Sequence, residues 1–293
     1  MTLPTRREWL ERAAGRPAPS PERERGQPPA ASARPRVAPH EQLVNTLEFE
    51  TEAQRVLDEE TFRAVSGSDR AAFDRVTFRP RMMVSCVDLD LSIDCFGVRL
   101  FAPIIVGPVD DQRRFHADGE LGTVRGAALA KAAVVVSAGA SQPIEALAAQ
   151  ATSPLFYQVV IDDGAARAKA QAAERAGCNA VLVTVGAPGR ASQKSGQIDW
   201  PAIEALTRAV SVPVVVKGIT TAQAASEAVR RGASGLVVST YGRPEAPGQP
   251  AALDLIAPVA DAVGGRVPVL VDGGFRRGTD VMKALALGAS SRP

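Results

Sequence analysis

The sequence predicts an α/β protein built on a parallel sheet of the TIM (β/α)8-barrel type, preceded by N-terminal helices. From residue 84 onward, short runs of β-branched residues alternate with alanine-rich helical stretches. The runs are continuously apolar, which indicates strands buried on both faces, as in a parallel sheet. Strict alternation of strand and helix is typical of right-handed βαβ units. Seven units can be counted, more than a doubly wound sheet usually has and one fewer than closes a barrel.

The chain before the barrel divides into two predicted segments. Residues 1–40 hold many Pro, Arg and Glu residues without apolar periodicity, which is typical of a flexible segment. Arg6-Arg7 resembles a twin-arginine export motif, but no apolar region follows it. The expected location is therefore the cytoplasm, and export through a degenerate twin-arginine signal is the weaker alternative. Residues 41–83 are predicted to form short helices that pack on the barrel. Their apolar positions are Val44, Leu47, Phe49, Val56, Phe62 and Val65.

The predicted barrel occupies residues 84–293. Its strands are predicted at Ala102–Val106, Val134–Ser137, Leu155–Val160, Ala180–Val185, Val212–Lys217, Gly235–Ser239 and Val267–Val271. Its helices are predicted at Gly119–Lys131, Ala165–Ala176, Pro201–Val210, Ala222–Arg230, Ala251–Val263 and Thr279–Leu287. The sequence stops shortly after Ala289, where an eighth strand is expected. We therefore expect a barrel that lacks its eighth strand, either as a seven-unit form or because the sequence is truncated.

Composition excludes several classes of function. The net charge of +2 comes from 34 basic and 32 acidic side chains, and aromatic residues make up only 4%. This balance argues against a nucleic-acid or polybasic membrane partner. No apolar run approaches the roughly 20 residues of a membrane helix. Three cysteines without C-x-x-C spacing and only two histidines argue against a disulfide framework or a metal site, and favour a reducing compartment.

A glycine turn after the seventh predicted strand is the first candidate site. Asp272-Gly273-Gly274 leads directly into a helix. Glycines let backbone N–H groups approach an anion, and the helix N-terminus adds a favourable dipole. Loops at this place in a barrel commonly bind phosphate, and Arg276 can add charge-assisted contacts. The alternative is a simple tight turn without a ligand.

A lysine at the end of the fifth predicted strand is the second candidate. Lys217 follows the buried run Val212–Val216, and chemistry in such barrels sits at the carboxyl ends of the strands. A lysine there is suited to base or Schiff-base chemistry, or to stabilising an anion. The alternative is a surface lysine at a strand end.

Four blocks of sequence carry a specific resemblance. Phe78–Arg81, His116–Glu120, Val214–Gly218 and above all Asp272–Ala289 resemble the FMN-dependent 2-hydroxy-acid oxidases and dehydrogenases. The similarity runs in order over about residues 43–289. It implies an FMN cofactor, a small-molecule substrate, oxidation of a CH–OH group and a homo-oligomer, often a tetramer.

The resemblance also implies roles by position. Lys217 matches the lysine that stabilises negative charge on the reduced flavin ring, and Asp272 matches a residue that contacts the ribityl chain. Gly274 and Arg276 match phosphate-binding positions in the turn that includes Gly273. The residues that match flavin-ring contacts are Pro108, Val109, Ser137, Gln158 and Thr184.

The substrate side departs from the family pattern. Tyr241 stands where the family has its histidine base, and a tyrosine with a pKa near ~10 is a poor base at neutral pH. Arg243 lies one place early for the arginine that holds the substrate carboxylate. Val160 replaces a substrate-binding tyrosine, and Asp110 replaces a small residue beside the flavin. The catalytic candidates are therefore Tyr241, Lys217 and Arg243.

The hypothesis that follows is an FMN-dependent oxidoreductase in which Tyr241 replaces the catalytic histidine. One alternative is a non-catalytic barrel that binds flavin or phosphate. Another is a truncated, inactive product, and a third is a flavin barrel with non-redox chemistry.

Overall fold

The computed structural model describes residue 39 and residues 42–66, 70–79, 87, 89–161, 164–186, 198–241 and 249–289. Several predictions concern residues outside these ranges. They are the flexible segment 1–40 (apart from Pro39), the substrate-binding role of Arg243 and the chain end at 290–293.

In the part of the chain that the structure describes, three helices precede the sheet: α1 (Thr46–Val56), α2 (Glu59–Val65) and α3 (Ala71–Arg75). The first two begin with side-chain caps, because Asn45 accepts the N–H groups of Leu47 and Glu48, and Asp58 accepts that of Thr61. Such caps satisfy donors that a helix cannot pair internally.

A short hairpin that the sequence analysis did not predict follows these helices. Strands β1 (Ile93–Cys95) and β2 (Val98–Leu100) are antiparallel and are joined by Phe96 and Gly97. Both joining residues have positive φ values, 52° and 77°, as a two-residue hairpin turn requires. Phenylalanine is unusual at such a φ, so the local sequence carries no hairpin signal.

Among the described residues, seven parallel strands form one curled sheet whose spatial order is the chain order, which confirms the predicted fold class. They are β3 (Ile105–Val106), β4 (Ala133–Ser137), β5 (Leu155–Val160), β6 (Ala180–Thr184), β7 (Val214–Ile219), β8 (Gly235–Val238) and β9 (Val269–Val271). Within the described residues, β3 and β9 each pair on one side only.

Helices follow each strand of the sheet in the described residues. They are α4 (Glu120–Leu129), α5 (Ile144–Ala148), α6 (Ala166–Arg175), α7 (Trp200–Thr207), α8 (Ala222–Arg230), α9 (Ile256–Val263) and α10 (Gly278–Ala286). The short helix α5 was not predicted. No helix in the described part of the chain has the length and apolar character needed to span a membrane.

Alternate residues of the strands enter two different apolar layers. Val134, Val136 and Val159 pack toward the helices, whereas Val135 and Phe156 point to the inner face of the sheet. The hairpin covers that inner face, and the Phe96 ring meets Phe156 edge-on at a centroid distance of 5.7 Å. Each such buried side chain contributes about 1.5–3 kcal/mol of transfer free energy.

Three strands begin later than predicted, and each predicted range contains a proline. β3 begins at Ile105 and not Ala102, β7 at Val214 and not Val212, and β9 at Val269 and not Val267. The prolines are Pro103, Pro213 and Pro268. Proline lacks the N–H that a strand donates to its neighbour, so each ladder starts after it.

Helices α3 and α10 contact each other beside the glycine turn. The Phe73 and Phe275 rings meet edge-on at 5.0 Å, and Lys283 Nζ donates to the Phe73 carbonyl at 2.7 Å. Arg70 Nη1 lies 3.0 Å from Asp280 Oδ2 and 2.5 Å from the Gly274 carbonyl oxygen. The loop after β9 is therefore held in place by the N-terminal region.

Candidate active site

A row of buried polar side chains lies near the carboxyl ends of neighbouring strands. Ser137 of β4 pairs in register with Gln158 of β5, and Thr184 of β6 pairs with Lys217 of β7. Gln158 Nε2 donates to Thr184 Oγ1 at 2.6 Å and so joins the two pairs. Ser239, just after β8, continues the row, and all five side chains are buried. Buried polar groups require hydrogen-bond partners. Together these five side chains form a continuous polar strip along the carboxyl ends of the strands.

Lys217 is a buried cation and not a surface lysine. Its side chain is 4% exposed, and its Nζ lies 2.8 Å from Asp272 Oδ2 and 3.0 Å from Ser239 Oγ. Gly218, with φ +107°, follows it at a break in the β7–β8 register. A Cβ at Gly218 would lie 2.3 Å from the Val185 carbonyl oxygen, so only glycine fits there. This bulge directs Lys217 toward the loop after β9.

Tyr241 lies over Lys217 at the mouth of the row. Its ring centroid is 5.2 Å from Lys217 Nζ, a cation–π distance, while 64% of the residue is exposed. Partial burial raises the pKa of Tyr241 above its ordinary value, and the charges of Asp110 and Asp272 raise it further. A tyrosine in this environment is protonated at neutral pH and is a hydrogen-bond donor.

Asp110 lies at the other end of the row, beside Ser137. The Ser137 hydroxyl donates to Asp110 Oδ1, and Gly139 N donates to Ser137 Oγ at 3.1 Å. The loops after β3 and β4 are also joined by the Asp111 N–H, which donates to the Gly139 carbonyl at 3.0 Å. From the sequence, Asp110 stood out only as a departure from the family pattern. Its contact with Ser137 depends on how the loops after β3 and β4 meet.

The two other ring-contact candidates lie on the same loop as Asp110. Pro108 is half-buried, and Val109 is exposed. Both come directly after β3, so they stand at the same edge of the sheet as Ser137.

Backbone N–H groups of two kinds lie in the glycine turn: those of two arginines are paired, and those of two glycines have no acceptor among the described residues. Gly273 and Gly274 adopt φ values of 97° and 76°, and their N–H groups have no hydrogen-bond acceptor among the described residues. A Cβ at Gly273 would meet nothing within 4 Å. The N–H groups of Arg276 and Arg277 instead donate to Asp280 Oδ2, at 2.9 and 3.0 Å.

The Arg276 guanidinium is already engaged within the protein. Its Nε lies 2.9 Å from Glu50 Oε2 of α1, and its Nη1 donates to the Phe275 carbonyl at 3.0 Å. Hydrogen bonding with Arg276 lowers the pKa of Glu50 below its ordinary value. An anion at this turn therefore meets the Gly273 and Gly274 N–H groups directly and competes with Glu50 for Arg276.

The chemistry of these groups fits a flavin mononucleotide. Hydroxyl and amide side chains suit the polar edge of the ring, and a buried lysine suits an edge where negative charge develops. Unpaired N–H groups in an open glycine turn suit a phosphate. Because Lys217 contacts Asp272, the ring-binding and phosphate-binding candidates lie on one face within reach of a single nucleotide.

Comparison with known proteins agrees with this geometry. A family model described as FMN-dependent dehydrogenase matches residues 49–196 and 189–291. Glycolate oxidase 1 of Oryza sativa subsp. indica is 31% identical over 302 residues, covering 85% of this chain and 82% of that protein. Glycolate oxidase 3 of Arabidopsis thaliana is 32% identical over the same shares of both chains.

Solved structures show the same similarity. Mandelate oxidase with (S)-2-phenylpropionate has a TM-score of 0.77 at 33% identity, covering 85% of this chain and 84% of that one. A mandelate oxidase variant with the C4a-OH-FMN adduct has a TM-score of 0.75 at 34% identity, covering 83% of each chain. The chain therefore belongs to the FMN-dependent dehydrogenase family, which includes the 2-hydroxy-acid oxidases.

Proposed function

We propose that this protein is an FMN-dependent oxidoreductase that oxidises a CH–OH group of a small molecule, with Tyr241 in place of the family's histidine base. The observation that carries the proposal is the 2.8 Å contact between Lys217 and Asp272. It joins the polar strand ends to the glycine turn. Bound FMN supplies the two-electron redox chemistry, and the protein supplies binding, orientation and electrostatics.

The proposed flavin-binding residues contact the ring, the ribityl chain or the phosphate of FMN. Pro108 and Val109 lie against the ring, and Lys217 stabilises negative charge at its polar edge. Asp272 contacts the ribityl chain. The remaining ring-contact residues are Ser137, Gln158 and Thr184, and the phosphate-binding residues are Gly273, Gly274 and Arg276.

Tyr241 and Arg243 are the proposed substrate-side residues. The raised pKa of Tyr241 keeps its hydroxyl protonated, so we assign it the role of orienting the substrate oxygen by donating a hydrogen bond. Arg243 follows closely in the chain and is assigned to an electronegative group of the substrate. The same raised pKa supports a second candidate function, a non-catalytic flavin-binding protein, because a protonated tyrosine removes no proton from a substrate.

An absorption spectrum of the purified protein tests both candidates. We expect a yellow protein, or one that takes up added FMN in a one-to-one ratio. The flavin is then exposed under anaerobic conditions to glycolate, lactate, mandelate and their uncharged amide or alcohol analogues. Bleaching of the flavin by any of them supports the oxidoreductase, whereas stable colour with every compound supports the non-catalytic protein. A protein that binds no FMN contradicts both.

We also propose the organisation of the chain. Residues 41–83 form an N-terminal helical part packed on an FMN-binding barrel of residues 84–293, and the contacts between α3 and α10 support this division. We further propose a homo-tetramer in the cytoplasm; light scattering of the purified protein measures the first, and cell fractionation the second.

A further inference from the structure

Asp110 is held at the mouth of the site although it is an exposed residue. Its Oδ1 accepts a hydrogen bond from the Ser137 hydroxyl. Its carboxylate also packs on Gly139, where an added Cβ would lie 2.8 Å from the Asp110 side chain. These two contacts fix the carboxylate at the end of β4 and keep it from turning into solvent.

The two carboxylates at the mouth have different surroundings. Asp272 is neutralised by Lys217 at 2.8 Å. Asp110 faces the Ser137 hydroxyl, and the ion pairs of the described residues include none with Asp110. The charge of Lys217 is thus balanced by that of Asp272. Among the described groups the charge of Asp110 is unbalanced, and it gives the mouth an excess of negative charge.

The field of Asp110 extends to the substrate side. Burial is the largest cause of the raised Tyr241 pKa, and the charge of Asp110 is the next. The negative charge of Asp110 therefore also acts electrostatically at the position where Tyr241 is proposed to contact the substrate. A second negative charge there is repelled, because Coulomb energies are larger in a partly desolvated mouth than in bulk water.

We propose that Asp110 is a specificity-determining residue that disfavours substrates with a carboxylate beside the reacting carbon and favours uncharged or cationic alcohols. Hydroxyl and ammonium donors form favourable hydrogen bonds with a carboxylate, whereas a carboxylate ligand cannot. The inference rests on the proposed function, since it requires FMN and substrate to bind at this mouth. It narrows the substrate class of that function to alcohols without an adjacent carboxylate.

The test compares glycolate with glycolamide, two compounds of similar shape that differ in charge. Each is titrated into FMN-loaded protein, and its affinity is read from the flavin spectrum and from calorimetry. The variant is Asp110→Asn, which removes the charge and keeps an oxygen for the Ser137 hydroxyl. Asp110→Ser is a second neutral variant in case the first is unstable. The matched control is Asp111→Asn, the next carboxylate in the chain, at φ 45°, a conformation that asparagine also tolerates.

We expect Asp110→Asn to bind glycolate at least about tenfold more tightly than the wild-type protein does. Glycolamide affinity should change by less than about twofold, and Asp111→Asn should change neither affinity, since the charges that act on Tyr241 are those of Asp110 and Asp272. An unchanged glycolate affinity, including no measurable binding to either protein, overturns the inference. So does an equal effect from Asp111→Asn. Failure to bind FMN contradicts the proposed function itself, whereas a normal flavin spectrum with unchanged ligand selectivity contradicts only the role of Asp110.

Discussion

Lys217 Nζ and Asp272 Oδ2 lie 2.8 Å apart although strand β8 lies between β7, which contains Lys217, and β9, which ends just before Asp272. Asp272 N donates to the Val238 carbonyl at 3.2 Å, which brings the loop after β9 back across the end of β8. This contact gives a lysine that is 4% exposed the nearby anion that a buried cation needs.

Replacing this lysine is expected to weaken FMN binding. In Lys217→Met the polar edge of the flavin ring loses its cation, and a charge-assisted interaction is worth about 1.5–3 kcal/mol. We expect the Kd for FMN, measured by fluorescence quenching, to rise at least about tenfold. The melting temperature should change little, since Asp272 is 36% exposed and can be hydrated. Lys131→Met, at an exposed lysine over Phe101, is the control; equal losses in both variants would contradict the role of Lys217.

Introducing a histidine at position 241, where Tyr241 is proposed to stand in place of the family's base, is expected to increase hydroxy-acid oxidation. A histidine with an ordinary pKa near ~6.5 accepts a proton at neutral pH, whereas the raised pKa of Tyr241 prevents this. In Tyr241→His, anaerobic flavin reduction by lactate should be at least about tenfold faster than in the wild-type protein. The rate should rise with pH through about 6 to 7 as the imidazole loses its proton. Tyr241→Phe serves as the control without a base, and a similar gain there would exclude this explanation.

Removing the charge of Glu50 is expected to strengthen FMN binding. Glu50 Oε2 holds Arg276 Nε at 2.9 Å, and this carboxylate competes with a phosphate for the same guanidinium. In Glu50→Gln we expect the Kd for FMN to fall by about threefold or more, while riboflavin, which has no phosphate, shows no gain. Glu52→Gln in the same helix is the comparison; an improvement for riboflavin as well would point to a cause other than the phosphate.

Asp280 is expected to stabilise the fold in its ionised form. Burial alone would raise the pKa of Asp280, but hydrogen bonds from the Arg276 N–H, from Arg70 and from the Arg277 N–H outweigh it and lower the pKa. Because the pKa of Asp280 is lower in the folded than in the unfolded protein, its ionised carboxylate stabilises the fold fully at a pH above the unfolded-state pKa. This stabilisation is lost as the pH falls through the folded-state pKa. Asp280→Asn should lose about 2 kcal/mol at pH 7 and show a weaker fall in stability in acid. Urea unfolding from pH 7 down to 3 measures this, with the exposed Asp261→Asn on α9 as reference.

Cys95 and Cys178 are expected to be unreactive in the folded protein. Burial raises the pKa of Cys95 to about 11. Burial, with a smaller effect of the Glu145 charge, raises the pKa of Cys178 to about 12. Because the thiolate is the reactive form, iodoacetamide at pH 8 should label neither residue until the protein is unfolded with urea. Peptide mass spectrometry reads the labels, and rapid labelling of either residue in the native protein would contradict the burial.

Local patterns were sufficient to predict most of the fold. Apolar strands and alanine-rich helices recur in the sequence, and the predicted order of seven strands matches the sheet. The shortened strands show where such patterns fail, since an apolar run continues through Pro103 or Pro268 while the hydrogen-bond ladder does not. The Phe96–Gly97 turn is stabilised by contacts far along the chain, because Phe96 packs on Phe156 and against Gly235.

By itself the sequence determined which residues stand at the strand ends, because strand and helix periodicities fix the carboxyl end of each βα unit. These positions identified Lys217 and the glycine turn as candidates, and the resemblance to the family added Ser137, Gln158 and Thr184. Only the tertiary structure decided which charges neutralise one another: Lys217 with Asp272, Arg276 with Glu50, and Asp110 with no described cation. Such pairings depend on how separate loops meet in space, and electrostatic energies change with ångström distances and burial that no local pattern encodes.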